Sequence, residues 1–215
     1  MQTKKGGNPM KYSNIVFDID GTLIDTEYAI LHSLQDTLKI LSGKKIPCSE
    51  LTFALGITGI DALKKLDIKD IPGAIKLWDK NMCRYTATVR VFDGIAELLE
   101  ILLKSGYEMG IVTSRTKKEF EYDFCPFGLR HYFNIIVCAD DTIEHKPSAA
   151  PLLKYTELSR SDRKKVLYIG DSEHDSKCAD NAGIDFALAA WGSHDKSIKT
   201  DYFLTRPSEL LSVIN

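Results

Sequence analysis

Short apolar runs, separated by amphipathic stretches, give the chain its pattern. Residues 14–18 (Asn-Ile-Val-Phe-Asp) are almost continuously apolar, and turn chemistry follows at Gly21. That combination predicts a fully buried strand. Similar runs at 108–112, 134–138, 166–170 and 184–189 predict four more strands, and 202–204 a short sixth. Between them lie helical patterns. Residues 94–104 place apolar side chains at 95, 98, 99, 101 and 102, the spacing of one helix face. Weaker patterns predict helices over 117–127, 148–158 and 172–182. Buried strands alternating with helices imply a parallel sheet covered by helices on both faces.

One stretch breaks this alternation. Some 70 residues between the first strand and Gly94 contain no strand run, only helical patterns at 26–41, 49–55, 58–66 and 71–86. Pro72 falls in a helix first turn, where proline is tolerated. The predicted organisation is an α/β core over residues 10–24 and 91–215, with a small α-helical cap inserted at 25–90. Residues 1–9 are polar and Gly-rich and read as a disordered tail. Either Met10 is the natural start or the tail is an appended remnant. The stripe Ile30, Leu31, Leu34, Leu38 and Leu41 reads as the cap's own core, as do Trp78, Met82 and Tyr85.

Composition narrows the classes. The chain has 215 residues, 28 Lys+Arg, 30 Asp+Glu and a net charge of −2. Near-balance argues against a basic nucleic-acid domain and against an acidic disordered protein. No apolar run approaches the ~20 residues of a membrane helix, and the N-terminus lacks a signal peptide's apolar region. The five cysteines are odd in number and form no C-x-x-C, so they read as reduced thiols in a cytoplasmic protein.

In an open α/β sheet, ligands sit beyond the carboxyl ends of the strands. The first strand ends there in Asp18-Ile-Asp20-Gly21-Thr22 and the second in Thr113-Ser114-Arg115. His145-Lys146-Pro147 follows the third, and the fourth ends in Gly170-Asp171-Ser172-Glu173-His174-Asp175. Singly, each has an ordinary explanation: Asp in turns, Thr or Ser as a helix cap, Lys on a surface. Together they bring four carboxylates, a lysine and hydroxyls to one edge. Crowded carboxylates need neutralising, and an all-oxygen set suits Mg²⁺. The lysine and hydroxyls suit the oxygens of a phosphate. The edge therefore reads as a Mg²⁺/phosphate site.

These four segments, with the first running Asp-Ile-Asp-Gly-Thr-Leu-Ile-Asp-Thr at 18–26, resemble the four motifs of the haloacid dehalogenase-like hydrolase superfamily. The resemblance spans about residues 12–192, and the insertion after the first motif resembles the helical-cap subfamily. That subfamily includes phosphoglycolate phosphatase-like enzymes, small pyrophosphatases, nucleotidases and β-phosphoglucomutase. Trp191-Gly192 resembles a Trp-Gly pair seen there. The resemblance implies Asp18 as nucleophile, forming an aspartyl-phosphate, and Asp20 as the general acid and base. It implies Mg²⁺ held by Asp18, the Asp20 carbonyl and Asp171, with Asp175 close by. Thr113 and the Ser114 N–H would hold phosphoryl oxygens, and Lys146 would offset charge on the nucleophile and the transferring group. Gly21, Thr22 and Arg115 would border the substrate.

The cap is expected to close over the site, with hinges near 24–26 and 88–93. Its loop at Gly56, Thr58 and Gly59 is expected to touch the substrate. Lys44, Lys45, Lys64 and Lys65 could meet a second anion, or simply be solvated. The expected function is a Mg-dependent phosphatase acting on a small soluble phosphomonoester (phosphoglycolate-, pyrophosphate- or nucleotide-like). The expected state is a monomer, with a dimer left open. A sugar phosphomutase and a non-catalytic phosphate-binding regulator are the alternatives. Asp20 argues against dehalogenation. Mutases carry a histidine at the place of Ile30, whereas His32 lies about 200° around the helix from it.

Overall fold

The computed structural model describes residues 10–214, so the expected tail at 1–9 lies outside the described residues. Six parallel strands form the main sheet: β1 (Asn14–Phe17), β4 (Glu108–Val112), β5 (Ile135–Val137), β6 (Val166–Gly170), β7 (Asp185–Ala189) and β8 (Tyr202–Leu204). Their order is β5-β4-β1-β6-β7-β8, which puts β1 inside, between β4 and β6. All four β1 residues are buried, as expected of a strand covered on both faces.

Alternation along the strands sorts side chains to two apolar layers. Ile15, Phe17, Met109, Ile111, Leu167 and Ile169 face one layer, closed by α4 (Ile95–Lys104) and α8 (Leu210–Ile214). Val16, Val112, Val166 and Tyr168 face the other, closed by α6 (Ala150–Ser159) and α7 (Glu173–Ala182). The sheet and helices thus form a three-layer α/β sandwich.

The residues after β1 leave this sandwich. A two-stranded antiparallel ribbon of β2 (Ile24–Asp25) and β3 (Arg90–Val91) carries the chain out and back. This ribbon was not anticipated: two residues per strand are too few for a pattern. Beyond it, α1 (Glu27–Ser42), α2 (Gly59–Lys65) and α3 (Ile71–Met82) enclose their own cluster around Leu31, Leu34, Leu38, Leu51 and Leu63.

Several expectations need correction. Residues 49–55 are not an α-helix but two 3₁₀ turns, Cys48–Glu50 and Thr52–Ala54. Buried Leu51 and Ala54 lie three apart, the period of that tighter coil. Helix α3 stops at Met82, after which Arg84 and Tyr85 turn back to Asp36 at 2.9 and 2.8 Å. The segment over 117–127 is α-helical only at α5 (Lys117–Glu119), widens into a π turn at Phe120–Phe124, and tightens into a 3₁₀ turn at Cys125–Phe127. Pro126, which has no N–H and disfavours helix before it, accounts for the break. The C-terminal α8 was not foreseen. In α1, Leu41 is exposed and Ile30 lines a cleft rather than the cap's core.

Candidate active site

β1, β4 and β6 end side by side, and their next residues are Asp18, Thr113 and Asp171. Asp18 and Lys146 are buried there. The Lys146 ammonium donates to Asp18 Oδ1 and to Asp175 Oδ1, each at 2.7 Å. Asp18, Asp171 and Asp175 bring one carboxylate oxygen each within 4.8 Å of one another. Three carboxylates therefore face one ammonium.

The local electrostatics follow from that crowding. Burial pushes the Asp171 carboxyl well above its usual range, and Asp175 and Asp18 add to the effect. Burial likewise pushes Asp18 up, with Lys146 pulling against it. For Lys146, burial alone would favour the neutral amine, but Asp175 and Asp18 outweigh it and keep it protonated. The donor set fits a divalent cation: hard oxygens, close together, with negative charge in excess of their one lysine.

Asp175 has no idle oxygen. Its Oδ1 also accepts from the Tyr168 hydroxyl at 2.7 Å, and its Oδ2 accepts from Ser172 N at 3.1 Å and Ser172 Oγ at 2.5 Å. It holds Lys146 beside Asp18 and caps α7. Tyr168 was not foreseen in this role; it reads as strand hydrophobe, and no motif marks it.

Asp20 is placed differently from Asp18. Arg115 grips it twice, Nε to Oδ2 at 2.8 Å and Nη2 to Oδ1 at 2.7 Å, and Thr26 Oγ1 donates to Oδ1 at 2.7 Å. Burial would raise its pKa, but Arg115 outweighs that and holds the carboxyl below the usual range. Asp20 is therefore an ionised carboxylate here. Its side chain is not among the three clustered carboxylates. Arg115 also donates to Asp123 at 2.7 Å, so the guanidinium expected to border the substrate is engaged by two protein carboxylates. Asp123 was missed because only the π turn brings it to Arg115.

The loop after β1 is tightly confined. Gly21 has φ +74°, and a Cβ on it would lie 2.2 Å from Asp171 Oδ2. Thr22, buried, donates to Asp171 Oδ1 at 3.4 Å. The Trp191 indole donates to Thr22 O at 3.0 Å, and a Cβ on Gly192 would sit 1.9 Å from Gly21 O. The Trp-Gly pair thus clamps the loop that follows Asp18.

Thr113 Oγ1 is buried and accepts from the Arg115 N–H at 3.2 Å. Ser114 Oγ donates to Gly56 O at 3.0 Å, joining the core to the cap loop. Gly56 and Gly59 line the cleft between cap and core. Thr58 does not: its buried hydroxyl accepts from Asp61 N at 3.1 Å and caps α2. That local use explains why Thr58 faces its own helix. Lys44, Lys45, Lys64 and Lys65 are exposed. The cleft forms a cavity of about 410 Å³ with Asp18 and Asp20 at its base, and Trp78, Met82 and Ile30 in its wall. Met82, expected as core, faces ligand space instead, and Trp78 packs against the cap's cluster while also lining the cleft; helical spacing cannot tell the two apart. Tyr85 stays half-buried against Tyr28 and His32.

A parallel α/β sheet with clustered carboxylates and a lysine at its carboxyl edge, and an inserted helical unit above, defines a class. The profile of the haloacid dehalogenase-like hydrolases matches residues 15–189, and the chain belongs to that family. It is similar to pyrophosphatase PpaX of Bacillus mycoides, 28% identical over 96% of this chain and 98% of that protein. Among solved structures it is similar to a protein of Lactobacillus plantarum named as a candidate phosphoglycolate phosphatase. The TM-score is 0.86 at 27% identity, covering 95% of this chain and 100% of that one. A haloacid dehalogenase-like family protein of Streptococcus pneumoniae shares the fold, with TM-score 0.82 at 22% identity over 95% and 99% of the two chains.

Proposed function

We propose that the chain is a Mg²⁺-dependent phosphatase that cleaves a small soluble phosphomonoester through an aspartyl-phosphate on Asp18. The observation that carries this reading is the buried Asp18 carboxylate, held 2.7 Å from Lys146 at the base of the cleft. Asp18, Asp171 and the Asp20 carbonyl are the proposed metal holders, with Asp175 behind them. Bound Mg²⁺ would neutralise charge on the phosphoryl oxygens and the carboxylates.

The protein's own groups supply the rest. The Asp18 carboxylate attacks phosphorus as the bond to the leaving oxygen breaks. Asp20, protonated once it leaves Arg115, gives its proton to that oxygen. It then takes a proton from the water that attacks the phosphoenzyme and releases phosphate. Lys146 offsets the negative charge that builds on the transferring group. Ser114 N–H and Thr113 are the proposed phosphate donors.

The mutase alternative gains nothing from the geometry. Ile30 lines the cleft where such enzymes carry histidine, and the His32 ring stacks on Tyr28 at 3.8 Å. Retention of both Asp18 and Asp20 speaks against a non-catalytic regulator. We draw the cap at 25–90, where the ribbon leaves the core, and propose a monomer in a reducing, cytoplasmic compartment, in keeping with five unpaired cysteines.

The test is phosphate release from a panel of phosphorylated metabolites and pyrophosphate, with Mg²⁺ and with EDTA. Turnover should require Mg²⁺ and fall to background in Asp18→Asn. Lys146→Ala should lose at least tenfold, a loss of ~1.4 kcal/mol of transition-state stabilisation. Full turnover in Asp18→Asn would sink the nucleophile assignment.

A further inference from the structure

The cleft above Asp18 has a chemical character that the relatives' names do not share. Pyrophosphate and phosphoglycolate each carry a second anionic group beyond the phosphoryl that is transferred. A site built for such a group presents a free cation to it. Two cationic side chains line this cleft, Arg115 and Lys118. Arg115 donates to Asp123 as well as to Asp20, so it keeps a carboxylate partner when Asp20 turns to the leaving oxygen, and Lys118 pairs with Asp79 at 3.1 Å at the exposed rim. Glu119 adds a further carboxylate to the same wall, where it accepts from the Thr116 N–H.

Ser114, Tyr122, Cys83 and Thr86 add polar atoms to the lining, and apart from Asp79 the rest of the cap-side wall is hydrocarbon. Ile30, Ile57, Ile75, Trp78 and Met82 project from the cap into the cleft. The Trp78 indole N–H already donates to Ser33 at 2.9 Å, so the ring offers the cavity an apolar surface. Gly59 lies against it: a Cβ there would be 3.1 Å from Ile75 Cδ1 and 3.6 Å from the Trp78 ring. The absent side chain leaves room beside the indole. At about 410 Å³, the cavity lies within the range of small-molecule sites and far exceeds the space of a two-carbon acid.

We propose that the leaving group of this enzyme's substrate is uncharged and largely apolar, an aromatic or branched-alkyl alcohol seated on Trp78, Ile75 and Met82. The proposal rests on the phosphatase reading above and names its substrate class. Trp78 and Met82 are then the specificity-determining residues. Burying an apolar leaving group there is favourable, whereas a carboxylate in the same place would lie among apolar side chains and paired charges without a partner.

The experiment compares 2-phenylethyl phosphate with phosphoglycolate, both phosphates of primary alcohols, so that binding rather than leaving-group reactivity decides. Pyrophosphate is the third substrate. In wild type with Mg²⁺, kcat/KM for 2-phenylethyl phosphate should exceed that of both others at least tenfold. Trp78→Ala should lower the ratio of 2-phenylethyl phosphate to phosphoglycolate turnover at least fivefold. Trp78 also packs in the cap, so Met82→Lys is the second variant. That new cation should raise the ratio of phosphoglycolate to 2-phenylethyl phosphate turnover at least fivefold. Asp18-dependent turnover that favours phosphoglycolate or pyrophosphate overturns the proposal and leaves the phosphatase reading standing. If no substrate turns over, that reading falls and the proposal with it.

Discussion

Arg115 holds Asp20 and Asp123 at once, and its guanidinium is almost wholly buried. Removing one partner of such a group leaves uncompensated charge, a loss of about 3 kcal/mol or more. Arg115→Met is therefore expected to lower the melting temperature sharply near neutral pH. The sign of the pH dependence follows from Asp20, whose pKa lies below the ordinary value because of Arg115. Such a group contributes stability above its unfolded pKa, about 3.9, and loses it as pH falls through the lower folded value. The gap between wild type and Arg115→Met should narrow toward acid, where Asp20 takes a proton in the variant. A gap independent of pH would assign the loss to packing. Gly192 gives a second test at this scale. A Cβ there would overlap Gly21 O, so Gly192→Ala must shift the loop that carries Asp18 and Asp20. Overpacking of this kind costs about 1–3 kcal/mol, and kcat should fall at least tenfold with a modest drop in melting temperature. Unchanged kcat would show that the loop adjusts without moving the carboxylates.

Helix α1 is the spine of the inserted unit, and Leu34 on it is fully buried in a cluster that shares no member with the two sheet clusters. Leu34→Ala should remove about 2–5 kcal/mol from that unit. Hydrogen exchange should quicken through α1, α2 and α3 while β1, β4 and β6 stay protected. Equal loosening of both would mean that cap and core melt together. The same separation explains which elements were legible in the sequence. Strands buried on both faces read as continuous apolar runs, as β1 and β6 do, and even the partly exposed edge strands β5 and β8 are apolar throughout. The β2–β3 ribbon offers two residues per strand and no run. The 49–55 turns and the broken segment after Lys117 depend on tertiary anchors and on Pro126, which periodicity does not report. At the site, Asp18, Asp20, Lys146, Asp171 and Asp175 were visible because each follows a strand in a recognisable order. Asp123 and Tyr168 were invisible because they act through geometry created by other residues. Ile30, Trp78 and Met82 obey core spacing yet line a cleft, since a helix face looks the same whether protein or ligand covers it.

Across the whole molecule, polar contacts span the cap–core boundary. Lys118–Asp79 at 3.1 Å, His145–Asp61 at 3.3 Å and His194–Glu27 at 2.9 Å join the two sides, beside the Ser114–Gly56 hydrogen bond. Of these, Lys118–Asp79 is an ion pair, and exposed pairs of that kind contribute about 1 kcal/mol at most and are screened by salt. No apolar cluster among the described residues locks the cap down, so its position should respond to ionic strength. Raising salt to about 1 M should increase the radius of gyration by small-angle scattering without lowering the melting temperature. An unchanged radius would mean that the ribbon itself fixes the cap's angle.

Strand β1 lies between β4 and β6, with Asn14 opposite Glu108 and Val166. Both neighbours are made long after it. On a ribosome adding roughly 5–20 residues per second, β1 waits on the order of ten seconds for its second partner. The helical insertion, built from nearby contacts, can fold during that wait, whereas the sheet cannot close. The strand that leads into Asp18 is thus the one that stays bare longest during synthesis, and an apolar strand in that condition is the natural client of a holding chaperone.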